Sequence, residues 1–198
     1  MGVRVNTKGL YDKLIHNVCF HKLLVMFDHD LARVAREQGC LCGGRLHSAH
    51  YARKPRGVPA EVWEYYCERL SLCCARDTCR KRTTPPSLRF IGGRVYVAVT
   101  MLLISVMVSG GTSEQLSQLS REYGVDRRTV GRWREWWRAT FTQTRFWQAE
   151  RSAFAPPVDE GRLPASMLER FLGRSLRQLV NLLRFLTPIT GETAVRVS

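Results

Sequence analysis

The chain has 198 residues, with 31 Lys+Arg against 17 Asp+Glu and a formal charge of +14. That length leaves room for one or two domains, and 44% hydrophobic residues are enough for a real core, which excludes a coreless, disordered chain. The basic excess, mostly arginine, points to a polyanionic partner: nucleic acid before a membrane surface, with plain solubility as the alternative.

Residues 1–39 read as an N-terminal helical segment. Met1 to Lys8 is polar and basic, so no export signal is expected and the protein is expected in the cytoplasm. From Leu10 to Gln38, Leu14, Val18, Leu24, Phe27, Leu31 and Val34 are spaced for one helix or two, ended by Gly39. Asp28, His29 and Asp30 are neighbours on that helix and cannot converge on a metal, so they are expected on a solvated face. Cys19, between Val18 and Phe20, reads as a small core residue.

Residues 40–91 carry most of the seven cysteines. Cys40-Leu41-Cys42-Gly43-Gly44 opens the segment, and Cys73-Cys74-Ala75-Arg76-Asp77-Thr78-Cys79 lies toward its end. In a chain expected to stay reduced, such pairs suggest metal ligands before disulfides. A tetrahedral zinc needs four soft ligands from two tight turns, and the glycines let backbone amides turn toward thiolate sulfur. The spacing, C-x-C and then C-x4-C, departs from a pair of CxxC knuckles. Cys40, Cys42, Cys74 and Cys79 are the expected zinc ligands. If 69–74 is a strand, Cys73 and Cys74 face opposite sides and only one can ligate. His47 or His50 replacing a cysteine, and unmetallated thiols, are the alternatives. Cys67 falls inside an expected helix over 59–68 and is left out. Two basic loops, Arg53-Lys54-Pro55-Arg56-Gly57 and Arg80-Lys81-Arg82, flank the cysteines. Arg53, Arg56, Arg80 and Arg82 are expected to hold phosphates without reading sequence.

Residues 92–148 read as a DNA-binding domain. Val95 to Val108 is the most apolar run, shorter than the ~18–20 residues a bilayer span needs, so it is expected as a buried helix and not a membrane anchor. Thr112 and Gln115 have capping-box spacing, and Leu116, Leu119 and Tyr123 form one stripe. Gly124 ends that helix, Val125 plugs the corner, and Asp126 caps a second helix beginning at Arg127. Val130, Trp133 and Trp137 give it an inner face. This is the pattern of a helix-turn-helix. Arg128, Gly131, Arg132 and Glu135 lie opposite, with Thr129 at the flank and Arg127 on the first turn. Arg127, Arg128, Thr129 and Arg132 are therefore the expected DNA contacts, and Gly131 lets the backbone come close. An ordinary helical hairpin with a solvated basic face is the competing reading.

Residues 149–164, with Ala155-Pro156-Pro157-Val158-Asp159-Glu160-Gly161, read as a linker. Residues 165–198 read as an amphipathic helix from Ala165 to Leu186 and a fraying tail. Its leucines either pack back on the chain or pair with a second copy or a partner protein.

The stretch from Cys40 to Trp147 resembles the DNA-binding front end of bacterial insertion-sequence transposases. There, a zinc ribbon with a "CRKR"-type basic strand, here Cys79-Arg80-Lys81-Arg82, precedes a helix-turn-helix, here with a "GVDRRTVGRW" recognition segment. The resemblance implies binding to double-stranded DNA. It stops short of the catalytic domain, because no run of strands displays three carboxylates for two metal ions.

The expected architecture is mainly α with a small β zinc ribbon, and a helix-turn-helix domain flanked by N- and C-terminal helices. The expected function is a non-enzymatic, sequence-specific DNA-binding protein, either a transposon-associated accessory protein or a transcriptional regulator. The alternatives are a zinc-dependent nuclease using His47 or His50, and a protein–protein adaptor.

Overall fold

A computed structural model describes residues 7–92, 94–109 and 112–191. The chain is mainly helical with a small antiparallel sheet. It divides into two compact units, one of residues 1–15 and 99–185, the other of residues 16–98 and 186–198. The expected tail past residue 191 lies outside the described residues.

The second unit begins with helix α2, Val18–Gln38, which is separate from α1, Thr7–Ile15. Asn17 breaks the two apart by capping α2, its side chain accepting from the Phe20 amide at 2.7 Å. Gly39, at φ 72°, closes α2 with its amide on the Arg36 carbonyl. The buried face of α2 is Phe20, His21, Leu24, Val25, Asp28 and Ala32. It is rotated from the expected stripe: Val34 is exposed, and Asp28 is not solvated but fully buried. Asp28 accepts from Ser87 Oγ, the Leu88 amide and Arg89 Nε, and those bonds turn the helix face. Cys19, expected in the core, is exposed on the other side.

Strands β1 (Leu46–Ser48), β4 (Leu72–Cys74) and β5 (Arg82–Thr83) form a three-stranded sheet in the order β1-β4-β5. Strands β2 (Tyr51–Ala52) and β3 (Glu68–Arg69) pair separately. The expected strand over 69–74 is thus split at Leu70 and Ser71, where the chain leaves β2 and joins β1. The expected helix over 59–68 is a 3-10 helix, Ala60–Tyr66. Its Val62 and Tyr66 pack with Val25, Phe90 and Val97. Leu46, Leu72 and Cys74 form a smaller cluster under the sheet.

The other unit is built on α3, Ala98–Val108, hydrophobic all round, with Met101, Leu102, Leu103 and Ile104 fully buried. No helix among the described residues is long and apolar enough to cross a membrane. Helices α4 (Ser113–Glu122) and α5 (Arg127–Glu135) follow, and α5 continues through a π-helical turn, Trp136–Thr140. Next comes α6, Arg145–Glu150.

The segment 149–164 is not a loose linker. Phe154 stacks with Trp147 and Phe185 at centroid distances of 5.9 and 5.4 Å, and Glu160 accepts from Trp147 Nε1 at 2.7 Å. Those aromatic contacts outweigh the loop-forming prolines. The C-terminal helix is also divided. A short α7, Ala165–Leu168, is followed by Gly173 at φ 113° and then α8, Ser175–Phe185. Leu179, Leu182 and Leu183 of α8 are buried in this chain, while Leu172 and Leu176 are exposed. Most of the leucine face that a partner would need is therefore already covered.

Candidate metal centre and nucleic-acid face

Cys40 and Cys42 sit in the turn that follows Gly39. The turn is closed by the Gly43 amide on the Cys40 carbonyl (2.7 Å) and the Cys40 amide on the Gly44 carbonyl (3.0 Å). Gly43 adopts φ 76°, which favours glycine. Gly44 is required for space: a Cβ there would lie 2.6 Å from Cys74 Sγ. Cys74 ends β4, and Cys79 lies in a turn whose residues 79 and 80 both donate to the Arg76 carbonyl at 2.9 Å.

The four sulfurs lie within 4.8 Å of one another, and this is the metal-competent group among the described residues. Cys40 and Cys79 are 3.7 Å apart at sulfur, and Cys42 and Cys74 are 3.5 Å apart. A tetrahedral ion with metal–sulfur bonds of about 2.3 Å sets sulfurs about 3.8 Å apart. A disulfide needs about 2.05 Å. The separations match the first arrangement and not the second.

The alternative ligands are placed elsewhere. Cys73 points to the opposite face of β4, with its Sγ 3.3 Å from the Arg80 carbonyl. It stands between His47 on β1 and Arg82 on β5. His50 Nδ1 meets the Ser71 backbone at 3.0 Å.

The local field suits thiolate character at one edge. The Gly44 backbone amide, helped by the neighbouring sulfurs, lowers Cys42 to about 7. Cys74 goes the other way: the Arg76 amide lowers it, but burial and the other thiols together push it up to about 12. Four soft donors converging at this distance, one already inclined to ionise, fit a divalent, thiolate-preferring ion. Arg76 was not anticipated from the sequence. Its Nη1 donates to the Cys42 carbonyl at 2.5 Å and braces the first turn from the second. The only signal was its place between Cys74 and Cys79.

The nucleic-acid candidate lies in the other unit. Thr112 and Gln115 form the capping box of α4, with both reciprocal bonds present. Gly124 takes φ 60°, and Val125 is buried in the corner. Asp126 accepts from the amides of Arg128 (2.9 Å) and Thr129 (3.2 Å), starting α5. Val130, Trp133 and Trp137 are buried.

Arg127, Arg128, Arg132 and Glu135 are exposed, and Thr129 is half-buried. Arg127 reaches Ser113 Oγ and Arg132 reaches Thr129 Oγ1 at 2.9 Å. Arg128 has no side-chain partner among the described residues. Gly131 sits mid-helix, and a Cβ built there would meet nothing within 4 Å.

Arg53, Arg56 and Arg80 lie in loops of the unit that carries the four cysteines, and Arg82, expected in a loop, begins β5 of the same unit. Arg53 donates to the Arg94 carbonyl and lies 5.3 Å over the Phe90 ring. Arg82 donates to the Ala49 carbonyl at 3.0 Å and lies 5.8 Å over Tyr51. Arg80 adopts φ 43° beside Asp77, and Arg56 is exposed. Compared with known protein families, curated proteins and solved structures, the chain shows no match.

Proposed function

We propose that this protein binds double-stranded DNA sequence-specifically, α5 serving as the reading helix and a structural zinc at Cys40, Cys42, Cys74 and Cys79 holding the other unit. The reading is of a non-catalytic protein: a transposon-associated accessory protein or a transcriptional regulator, acting in the cytoplasm. The observation that carries it is Gly131. A glycine inside a helix costs about 1 kcal/mol relative to alanine. Among the described residues, nothing lies within 4 Å of the position its missing Cβ would take. A close approach by something outside the chain accounts for that cost, and Arg128 and Arg132 flank the opening. An arginine on this face can fork onto a guanine edge while α5 lies in the major groove.

The metal reading rests on the closed donor set. Four thiols leave no position for an activating water, which favours a structural over a hydrolytic ion and weighs against the nuclease alternative. The test is selection of duplexes from a random pool by the purified, zinc-loaded protein, followed by binding to the selected site. Arg128→Ala and Arg132→Ala are expected to weaken that site by about 1–3 kcal/mol and to relax preference at one position each. If both variants keep affinity and preference, α5 is not the reader.

A further inference from the structure

A cavity of about 570 Å³ opens in the unit that carries α4 and α5, well inside the size range of small-molecule sites. It is walled by α1, the end of α3, α4, α7 and α8. Met107 and Leu168 supply apolar surface, and Tyr11, Gln118, Gln178 and Glu169 supply polar groups. None of the residues that form it belongs to the metal cluster or to the outward face of α5.

The charges at this cavity select against ionic ligands. Its one arginine, Arg162, is bound to its one carboxylate, Glu169, at 2.7 Å. An anion would meet a guanidinium already neutralised and would face Glu169. A cation would have to compete with Arg162 for the same carboxylate. The remaining polar groups are neutral and of both senses. The Gln178 amide nitrogen donates to the Phe171 carbonyl at 2.9 Å, which leaves its oxygen as an acceptor. Gln118 is exposed, with no partner among the described residues, and offers both donor and acceptor. Burial, with Glu169 nearby, raises the Tyr11 phenol above its usual value and keeps it a donor. A thioether and a leucine together with two neutral amides suit a flat ring carrying donor and acceptor edges.

We infer that this cavity binds a neutral, planar heteroaromatic molecule of about nucleoside size. The cavity also touches Gln115, the capping-box residue of α4, and Leu119 on its buried stripe. A ligand there restrains the helix that precedes the reading helix. This second part rests on the DNA-binding reading, and it makes that binding responsive to a small molecule.

The experiment is an amide NMR titration of the full chain with adenosine, cytidine and nicotinamide, with adenosine monophosphate as the charged control. At least one neutral probe is expected to saturate with Kd below about 1 mM. Its shifts are expected to centre on Tyr11, Gln118, Leu119 and Gln178, and the monophosphate is expected to bind at least tenfold more weakly. Ala165→Trp, which fills the cavity, is expected to abolish the shifts. Gln118→Ala, at an exposed position that leaves the fold intact, is expected to weaken binding several-fold.

No saturable shift at these residues with any neutral probe overturns the site, as does equal binding of the monophosphate. Duplex binding is measured in parallel with and without the bound probe. Ligand binding with unchanged DNA affinity overturns the coupling alone. Ligand binding in a protein that binds no DNA overturns the DNA reading and leaves the cavity assignment standing.

Discussion

Asp28 and Arg89 form an ion pair in the interior of their unit, with Arg89 Nε 2.8 Å from Asp28 Oδ2 and side-chain exposures of 2% and 0%. Asp28 also accepts from Ser87 Oγ and from the Leu88 amide at 2.6 Å, so one carboxylate ties α2 to the 87–89 segment. Removing one member of such a pair leaves a buried charge uncompensated. Asp28→Ala is expected to destabilise the fold by about 3–5 kcal/mol, read by denaturant unfolding. The double change Asp28→Leu with Arg89→Met is expected to recover much of that loss. Equal destabilisation by the single and double variants would show that the pair is not what holds this junction.

The burial of this pair is not legible in the sequence. An aspartate in the run Asp28-His29-Asp30 gives no sign of burial, because the partner is 61 residues away and is itself an arginine, a residue type usually at the surface. The cysteine set was legible because chemistry restricts it: alternation along a strand allowed only one of Cys73 and Cys74, and Cys74 is the one that faces Cys42. The helix pair α4–α5 was legible because its caps and turn are local, carried by Thr112, Gln115, Gly124 and Asp126. The segment 149–164 was not. Its proline-rich composition imitates a linker, and only the tertiary stacking of Phe154 on Trp147 and Phe185 keeps it packed.

Metal removal tests the four-thiol centre. The purified protein is expected to hold about one zinc per chain, and chelation is expected to unfold the segment around β1 and β4, since folding and binding are one event in such sites. Cys74→Ser is expected to release the metal. Cys73→Ser is expected to retain it, because that sulfur lies on the far face of the strand. Zinc-free protein with an unchanged fold, by metal analysis and circular dichroism, would refute the assignment.

The loop arginines are expected to separate into two groups. Arg53 covers the Phe90 ring and holds the Arg94 carbonyl, so Arg53→Ala should cost about 1–2 kcal/mol of stability. Arg56 is exposed, and Arg56→Ala should leave stability within about 0.5 kcal/mol. Its loss should instead weaken all duplexes alike and lower the slope of log K against log salt by about one. Fluorescence anisotropy across a salt series checks this; an unchanged slope in Arg56→Ala would remove that loop from the phosphate-contacting surface.

Gly131 gives the sharpest separation between stability and function. Its Cβ position is open, so alanine adds no clash with the described residues. Alanine also removes the backbone freedom that glycine surrenders in a helix interior. Gly131→Ala is therefore expected to stabilise the protein by about 0.5–1 kcal/mol, measured as a raised denaturation midpoint with an unchanged m-value. If α5 enters the major groove, the same methyl group intrudes where the backbone approaches the bases, and affinity for the selected site should fall by about tenfold or more, about 1.4 kcal/mol. Arg128, on the same face of α5, supplies the control: Arg128→Ala should lower affinity without raising stability, because its exposed side chain has no bonding partner among the described residues. A protein stabilised by Gly131→Ala that binds its site as before would mean that nothing approaches this face. The hairpin would then be a scaffold, and the charge of +14 would belong to another partner.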